Sequence, residues 1–545
     1  MPPRTETPPA PAQPAAEPEE RRNNQTEVFA VHGADPEVLA YAMAKYSRSA
    51  LSMKESLREI SSQRAEQFLN TFYFQYGHRS IADLAHVAFA VERLSLLAAI
   101  VLVDEQRWDG QERSTRYQNF RKSGWYMPEF GPDAGSANLF RETVEHLFTA
   151  YHSVSEAVFA SLKEQVRRPE EMKQESYDRT LRARAFDVAR YLLPLATNTS
   201  LGEIVNARTL ETQISRLLSH GAAEVRDLGM KLRNAAACPA WNVGGQAGQA
   251  FVDALAAVDT PAAESLSAEA AHLLTREVRT APTLVKYAQP NEYLMQSRVE
   301  LKQAAEELLR GIPGGDAGPV VDLVERTESL EAELAATLLY SVSHHSYRRI
   351  RDAVAEWPEA RVLEIVEMGA RRRGKHDEAL RAFKAGAALR FDILMDIGGF
   401  RDMHRHRRCV QIIQEFTSLH GYETPGGGDL GGEVDLLAEA GIESDFRNAV
   451  EGAHRAGAKI ASGEAPEAEW SALYLLPLAT RIRGLFKMDF AEAQYISELR
   501  SAPAGHFSYR RVAWEMYKAV ERQHPALARL IRVTDFTKPI DMLQR

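Results

Sequence analysis

Two short runs of this sequence hold residues suited to binding an anion. One is Glu112-Arg113-Ser114-Thr115-Arg116-Tyr117, and the other is Arg405-His406-Arg407, about three hundred positions later. Arginine suits phosphate because its planar guanidinium donates two parallel hydrogen bonds. In an extended or looped 112–117 segment, Ser114 and backbone N–H groups can hold a phosphate with Arg116 beside them. An ordinary polar loop is the competing reading. The second run continues into Arg408 and follows Arg401. On a helix, Arg401, Arg405 and Arg408 share one face and Arg407 points elsewhere. A solvated basic helix end, favoured by the macrodipole at a C-terminus, explains the same residues. His404 and His406 stand two apart and do not converge on a helix, so no metal site is expected. Neither run is specific on its own.

The elements that must position these runs come in two copies. Tyr191-Leu192-Leu193-Pro194-Leu195-Ala196-Thr197 recurs as Tyr474-Leu475-Leu476-Pro477-Leu478-Ala479-Thr480, seven identical residues 283 positions apart. In each half an alternating stretch (87–91 and 388–393) precedes an apolar run that turns polar (94–106 and 394–404). That pattern reads as a strand, a buried helix and a polar exit from the helix. The openings at 28–31 and 320–324 read as further strands, each followed by helical spacing. The expected organisation is a disordered tail over 1–25, a first domain over 26–252, a helical linker region over 253–318 and a second domain over 319–545. The linker region ends in a glycine–proline cluster at 311–319, and 424–432 reads as a flexible loop.

Composition sets outer limits. The 545 residues exceed one ordinary core and suit about two to four domains. A net charge of -9 gives no general drive toward nucleic acid or anionic membrane, so neither is an expected partner. Cys238 and Cys409 are the only cysteines, too few for a disulfide framework and with no C-x-x-C pair for zinc. A reducing cytoplasm fits. No apolar run is long enough to span a bilayer, and residues 1–25 lack the apolar core of a signal peptide.

Taken together, the motifs resemble the flavin-dependent thymidylate synthase (ThyX) family. Gly77-His78-Arg79-Ser80 is similar to the family's opening G-H-x-S, and Glu112, Ser114, Arg116 and Tyr117 to its phosphate-binding run. Ala189-Arg190 with Leu193-Pro194 resembles A-R-x-x-L-P, and Asn206 and Arg208 resemble N-x-R. Arg216, His220, Glu224 and Arg226 resemble the closing R-x-x-x-H-x-x-x-E-x-R, after a one-residue deletion. The first-half likeness covers roughly residues 28–235. It departs where the family has R-H-R, because Asp104-Glu105-Gln106 stand there. The second half, over about residues 320–515, reverses the pattern. It has Arg405-His406-Arg407, but Ile413, Glu415 and Thr417 replace the phosphate run, and no arginine precedes Leu475-Leu476-Pro477. Asp489 and Ala491 stand for N-x-R, and Arg500 falls where the pyrimidine-activating arginine belongs.

The resemblance implies an α+β fold of two tandem ThyX-like domains, each a small antiparallel sheet with helices packed around it. The family builds its sites at subunit interfaces, so the reciprocal losses imply one composite site. The first half would supply Glu112, Arg113, Ser114, Thr115, Arg116 and Arg190 to the substrate. The second would supply Arg405 to substrate and flavin, with His406 and Arg407 also on the flavin. Ser80, Asn206 and Arg208 would help hold the flavin, and Arg500 and Arg216 would be catalytic. The opposite pairing, Asp104-Glu105-Gln106 with Ile413 and Thr417, should be dead.

The implied reaction methylates dUMP to dTMP with methylene-tetrahydrofolate, FAD and NADPH. An arginine beside the uracil ring favours its N3-deprotonated form. The family's tetramer of single units implies a homodimer of this duplicated chain. The alternatives are a non-catalytic flavin- or nucleotide-binding relative with a regulatory or scaffold role, and one-carbon transfer to another pyrimidine nucleotide. Glu105 and Asp402, in place of a family glutamine, leave room for the latter. His344 and His345 read as a packing pair or a ligand-facing pair, Trp125-Tyr126 as loop packing or a stacking platform, and Cys409 as a packing residue.

Overall fold

In the computed structural model the alternating stretches become antiparallel sheets, one in each half. The structure describes residues 29, 31, 33–45, 52–59, 62–70, 79–120, 123–314, 318–324, 330–372, 380–383, 389–425, 435–528, 531–539 and 541–543. The tail at 1–25, His78 and most of the 424–432 loop lie outside them. In the first half β1 (His86–Ser95), β2 (Trp108–Glu112) and β3 (Asn198–Asn206) form a sheet of order β1-β3-β2. In the second, β4 (Val321–Leu323), β5 (Leu389–Asp396), β6 (Val410–Ile413) and β7 (Arg481–Met488) form a sheet of order β4-β5-β7-β6. All pairings are antiparallel. With helices around both sheets, the fold is α+β. The strand expected at 28–31 is not seen at Phe29 or Val31, the two described positions there.

β1 and β5 each hand over to a short buried helix by the same device. Ser95 ends β1 and caps Leu96–Leu102, its side chain accepting from Ala98 N. Asp396 ends β5 and caps Ile397–Met403, accepting from Gly399 N. Both caps satisfy amides that have no partner within the helix. β5 is buried along its whole length, so its polar side chains need partners. Arg390 pairs with Glu333 at 2.9 Å, and Asp392 accepts from Arg483 at 2.9 Å and from the Tyr340 hydroxyl at 2.9 Å.

The repeated heptapeptides meet each other. Pro194 bridges Pro477 in antiparallel fashion. Leu195 N donates to Leu476 O at 2.9 Å, and its mate Leu478 N donates to Leu193 O at 3.0 Å. Ala196 N donates to Tyr474 O and Ala479 N to Tyr191 O. Every bond has a counterpart, so the halves are related by a local two-fold axis through the two prolines. The same segments seat the buried helices. Leu96 N donates to Thr197 O and Leu97 N to Leu195 O, while Ile397 N donates to Thr480 O and Gly398 N to Leu478 O. One hydrophobic core, including Leu97, Tyr191, Ile397, Leu475 and Phe507, runs through both halves.

The intervening segment divides between them. Helices Gly245–Ala256 and Pro261–Leu274 form a hairpin. Ala281, Leu284, Val285 and Ala288 then pack into the first half's own core. Helix Glu292–Leu308 packs Leu301 and Ala305 into the second half's core.

Candidate functional site

β2 delivers the 112–117 run to the boundary between the halves. Arg113 organises the loop itself. Its Nε donates to Gln118 at 2.8 Å, its terminal nitrogens donate to Ser123 at 3.1 Å and to Asn119 O at 3.3 Å, and it lies over the Phe120 ring. Ser114 Oγ accepts from Arg116 N at 3.2 Å, and Thr115 is buried. Arg116 is buried and reaches across the boundary. It makes a two-pronged pair with Asp187 at 2.8 and 3.3 Å, and it donates to the Tyr509 hydroxyl at 2.8 Å and to Ala504 O at 3.1 Å. Burial opposes its charge, but the Asp187 carboxylate outweighs this and holds the guanidinium firmly protonated.

The second half meets this edge with helix Ile397–Met403 and the turn after it. The helix ends at Met403, so Arg401, Arg405 and Arg408 do not share a helical face as the sequence suggested. The chain must turn there to enter β6 and pair with β7. Arg401, on the helix, pairs with Glu112. In the turn, Arg407 pairs with Asp109 at 2.8 Å and lies over the Trp108 ring. Arg405 is exposed and has no ion pair among the described residues. His406 is buried, and its Nε2 accepts from Arg500 Nε at 2.7 Å, so the ring proton sits on Nδ1, 3.5 Å from Glu492. Burial, with Arg500, lowers the His406 pKa against the pull of Glu492 and keeps the ring neutral. The Cys409 thiol, three positions after His406, is buried, donates to His406 O and is pushed up to about 12 by burial, which makes it a packing group.

Arg116, from the first half, and Arg500, from the second, both lie beside the Tyr509 ring, at 5.6 and 5.4 Å from its centroid. Arg190 lies among groups of the second half. It is 2% exposed, makes one long contact with Asp402 at 3.5 Å, and leaves Nε and one terminal nitrogen without a hydrogen-bond partner. Arg401 Nε is also without a partner. Such buried, unspent guanidinium donors fit an anionic or carbonyl-bearing ligand. Burial pushes the Asp396 carboxyl up to about 6, against Arg190 and the hydrogen bonds from Ser508 and Gly399.

Other predicted residues lie apart from this group. Asn206 caps helix Ala207–Leu218, accepting from Thr209 N at 2.8 Å, and Arg208 pairs with Asp83 at 3.1 Å. Ser80 is exposed on the neighbouring 3-10 turn Arg79–Leu84. Arg216 sits at the two-fold counterpart of Arg500, bound to Glu105 at 2.8 Å and to Val101 O at 2.9 Å. There Asp104 pairs with Arg381, which also donates to Gln411 O on β6. Burial works against the Asp104 charge, but Arg381 and His404 hold its carboxyl well below the usual range. Glu415 is taken by Arg298, with Lys302 at 3.5 Å. The Trp470 ring covers Gly221, where an added Cβ would come within 2.1 Å of it, and packs on His220 at 4.8 Å. His344 and His420 pack edge to face at 6.0 Å, and Trp125 and Tyr126 pack on Phe140 and Tyr474.

Asp187 and Tyr509 were not assigned from sequence. Asp187 had a usable signal, since it stands three residues before Arg190, one helical turn away. Tyr509 had none.

A family profile described as thymidylate synthase complementing protein matches residues 29–239 and 323–526, about three quarters of the chain. The UPF0159 protein of Chlamydia muridarum is 29% identical over 550 residues, covering 95% of this chain and 93% of that protein. A flavin-dependent thymidylate synthase of Clostridium tetani is 28% identical over 177 residues, covering 32% of this chain and 67% of that protein. A crystal structure of ThyX from Helicobacter pylori with FAD and dUMP aligns with a TM-score of 0.25 at 17% identity, over 37% of this chain and 88% of that chain. With one match in each half, about the two-fold axis of paired heptapeptides, the chain belongs to the thymidylate synthase complementing protein (ThyX) family as a tandem duplication.

Proposed function

We propose that this chain is a flavin-dependent thymidylate synthase-like enzyme with one composite site between its halves. It would methylate dUMP to dTMP using methylene-tetrahydrofolate and NADPH, as a homodimer. The observation that carries the reading is the meeting of the retained motif halves: Arg116 and Arg500 flank Tyr509, and Arg500 donates to His406. The similarity to a flavin-dependent thymidylate synthase names the chemistry.

The residues present fit an anionic flavin nucleotide. Arg405 is exposed and has no ion pair among the described residues, and half-buried Arg407, whose partner Asp109 is exposed, can exchange that carboxylate for a ligand phosphate. Bound FAD would supply the reducing equivalents, and the folate the one-carbon unit. Arg190, with its unspent donors, would orient the substrate phosphate. Arg116, held by Asp187, would fix the Tyr509 ring. The partner of Arg500, His406, is a neutral acceptor that does not offset the guanidinium, which would stabilise the N3 anion of the pyrimidine.

One observation favours a second reading. Arg116, Arg401 and Arg190 already face the carboxylates of Asp187, Glu112 and Asp402. A relative that binds flavin or nucleotide without turnover, or that acts on another pyrimidine nucleotide, fits that balance. Incubation of the purified chain with FAD, dUMP, methylene-tetrahydrofolate and NADPH tests all three. Formation of dTMP, lost in Arg500→Ala, supports the enzyme. Bound flavin without dTMP supports the second reading, and no flavin absorbance after incubation with FAD refutes both flavin proposals.

A further inference from the structure

The hairpin of helices Gly245–Ala256 and Pro261–Leu274 lies between the two family-matched regions, so the duplicated fold does not explain it. Its buried residues are Gly248, Val252 and Ala263, along the line where the two helices touch. Gly248 permits that contact, since a Cβ there would come to 3.1 Å from Leu274. Each helix also carries a second apolar stripe that nothing in the described chain covers. On the first, Ala247, Ala250, Phe251 and Ala254 recur at i, i+3, i+4 and i+7, all exposed. On the second, Ala262, Leu266 and Leu273 follow one face. Phe251 is 53% exposed, Leu266 55% and Leu273 68%, and Trp241 at the hairpin's foot is 85% exposed.

We infer that this hairpin is a contact between two copies of this chain, each supplying half of a four-helix bundle. A two-helix hairpin with a free apolar face is half a bundle, and a two-fold axis makes that face complementary to itself. The exposed parts of these four side chains and of Val243 and Val258 leave roughly 600 Å2 of apolar surface per copy, so two copies would bury about 1,200 Å2, the lower bound for a specific interface. Charge argues against a nucleic acid or an anionic membrane. Residues 245–275 hold no lysine or arginine but four acids, Asp253, Asp259, Glu264 and Glu269, of which Glu269 lies within the second stripe between Leu266 and Leu273. Those like charges repel across the axis, so salt should strengthen the contact where it would weaken binding to a polyanion. The inference does not depend on the catalytic reading.

Light scattering on the full chain tests it. The wild-type mass should be at least twice 60.8 kDa, and Phe251→Asp with Leu266→Asp should halve it at unchanged helical content. A second measurement guards against a misfolded variant. In a Cys238→Ser background, cysteines introduced singly at Phe251, Leu266 and Leu273 should give oxidised dimers from at least one position. A monomeric wild type at micromolar concentration, an unchanged mass in the folded double variant, or no cross-link from any of the three positions overturns the inference.

Discussion

The cleft that carries Arg500 and the cleft that carries Arg216 are two copies of one arrangement, and they differ in how charge is balanced. In the first, Arg500 Nε donates to His406 at 2.7 Å, and in the second Arg216 Nε donates to Glu105 at 2.9 Å. The geometry is shared. A neutral imidazole leaves the arginine's charge available to a ligand, whereas a carboxylate cancels it. The neighbours differ as well. Where the first cleft has Asp187 holding Arg116, the second has Trp470 lying on Gly221. Where the first has Ser114, the second has Glu415 bound to Arg298. One cleft has kept unspent cationic donors, and the other has closed on its own carboxylates and an indole.

The largest expected effect comes from removing Arg116. The two-pronged buried ion pair with Asp187 would be broken, which costs about 3–5 kcal/mol. Thr417→Ala, the same position in the other half, should change stability by no more than about 0.5 kcal/mol. Denaturant unfolding of both variants checks this. Equal losses would mean that the clefts carry the same structural weight.

Next is Arg500→Ala. Loss of one charge-stabilising donor typically lowers turnover by about 100- to 1,000-fold. Glu415→Ala in the counterpart should stay within about threefold, since Glu415 faces only protein cations there. Turnover with dUMP measures both. A comparable loss in Glu415→Ala would make the second cleft functional and end the distinction drawn above.

A smaller effect concerns the helix caps, where the halves have exchanged an acid and a hydroxyl. Ser95 Oγ donates to Glu224 at 2.5 Å, while Ser508 donates to Asp396. Burial raises both carboxyls, Asp396 to about 6. A carboxyl raised in the folded state contributes stability below its unfolded pKa of 3.8, and that contribution is lost as pH rises through about 6. The loss is at most about 3 kcal/mol for a shift of this size. Asp396→Asn keeps a capping oxygen without the charge, so its stability relative to wild type should improve from pH 4 to pH 7.5. Glu224→Gln should shift in the same direction. A flat difference for Asp396→Asn would show that the site carries no such linkage.

Much of this comparison was legible in the sequence, for a local reason. The alternation before 94–106 and 394–404 encodes a strand, and the apolar run after it encodes a buried helix, as β1 with Leu96–Leu102 and β5 with Ile397–Met403 show. The repeated heptapeptide was visible as identity, but its antiparallel self-pairing was not. The helix end at Met403 was missed because residues 404–409 contain no glycine or proline to mark a turn. The partners of the site arginines were illegible because they are distant in the chain. Arg116 meets Tyr509 across 393 positions and Arg401 meets Glu112 across 289. No local pattern encodes such pairs.

The smallest effect is the most diagnostic. Arg405 stands where the other half has Asp104, which is locked to Arg381, whereas Arg405 is exposed and has no ion pair among the described residues. A surface arginine without a partner contributes little to the fold, so Arg405→Ala should leave stability within about 0.5 kcal/mol. If the arginine waits for a phosphate, the same change removes one charge-assisted hydrogen bond and weakens FAD binding by about tenfold or more. Arg405→Lys should recover part of that loss, because it restores the charge without the planar fork. Titration of FAD fluorescence against the three chains reads the difference directly. Unchanged affinity in Arg405→Ala would remove the flavin from this cleft, and the asymmetry between the clefts would then describe how the halves fold together, not where a ligand binds.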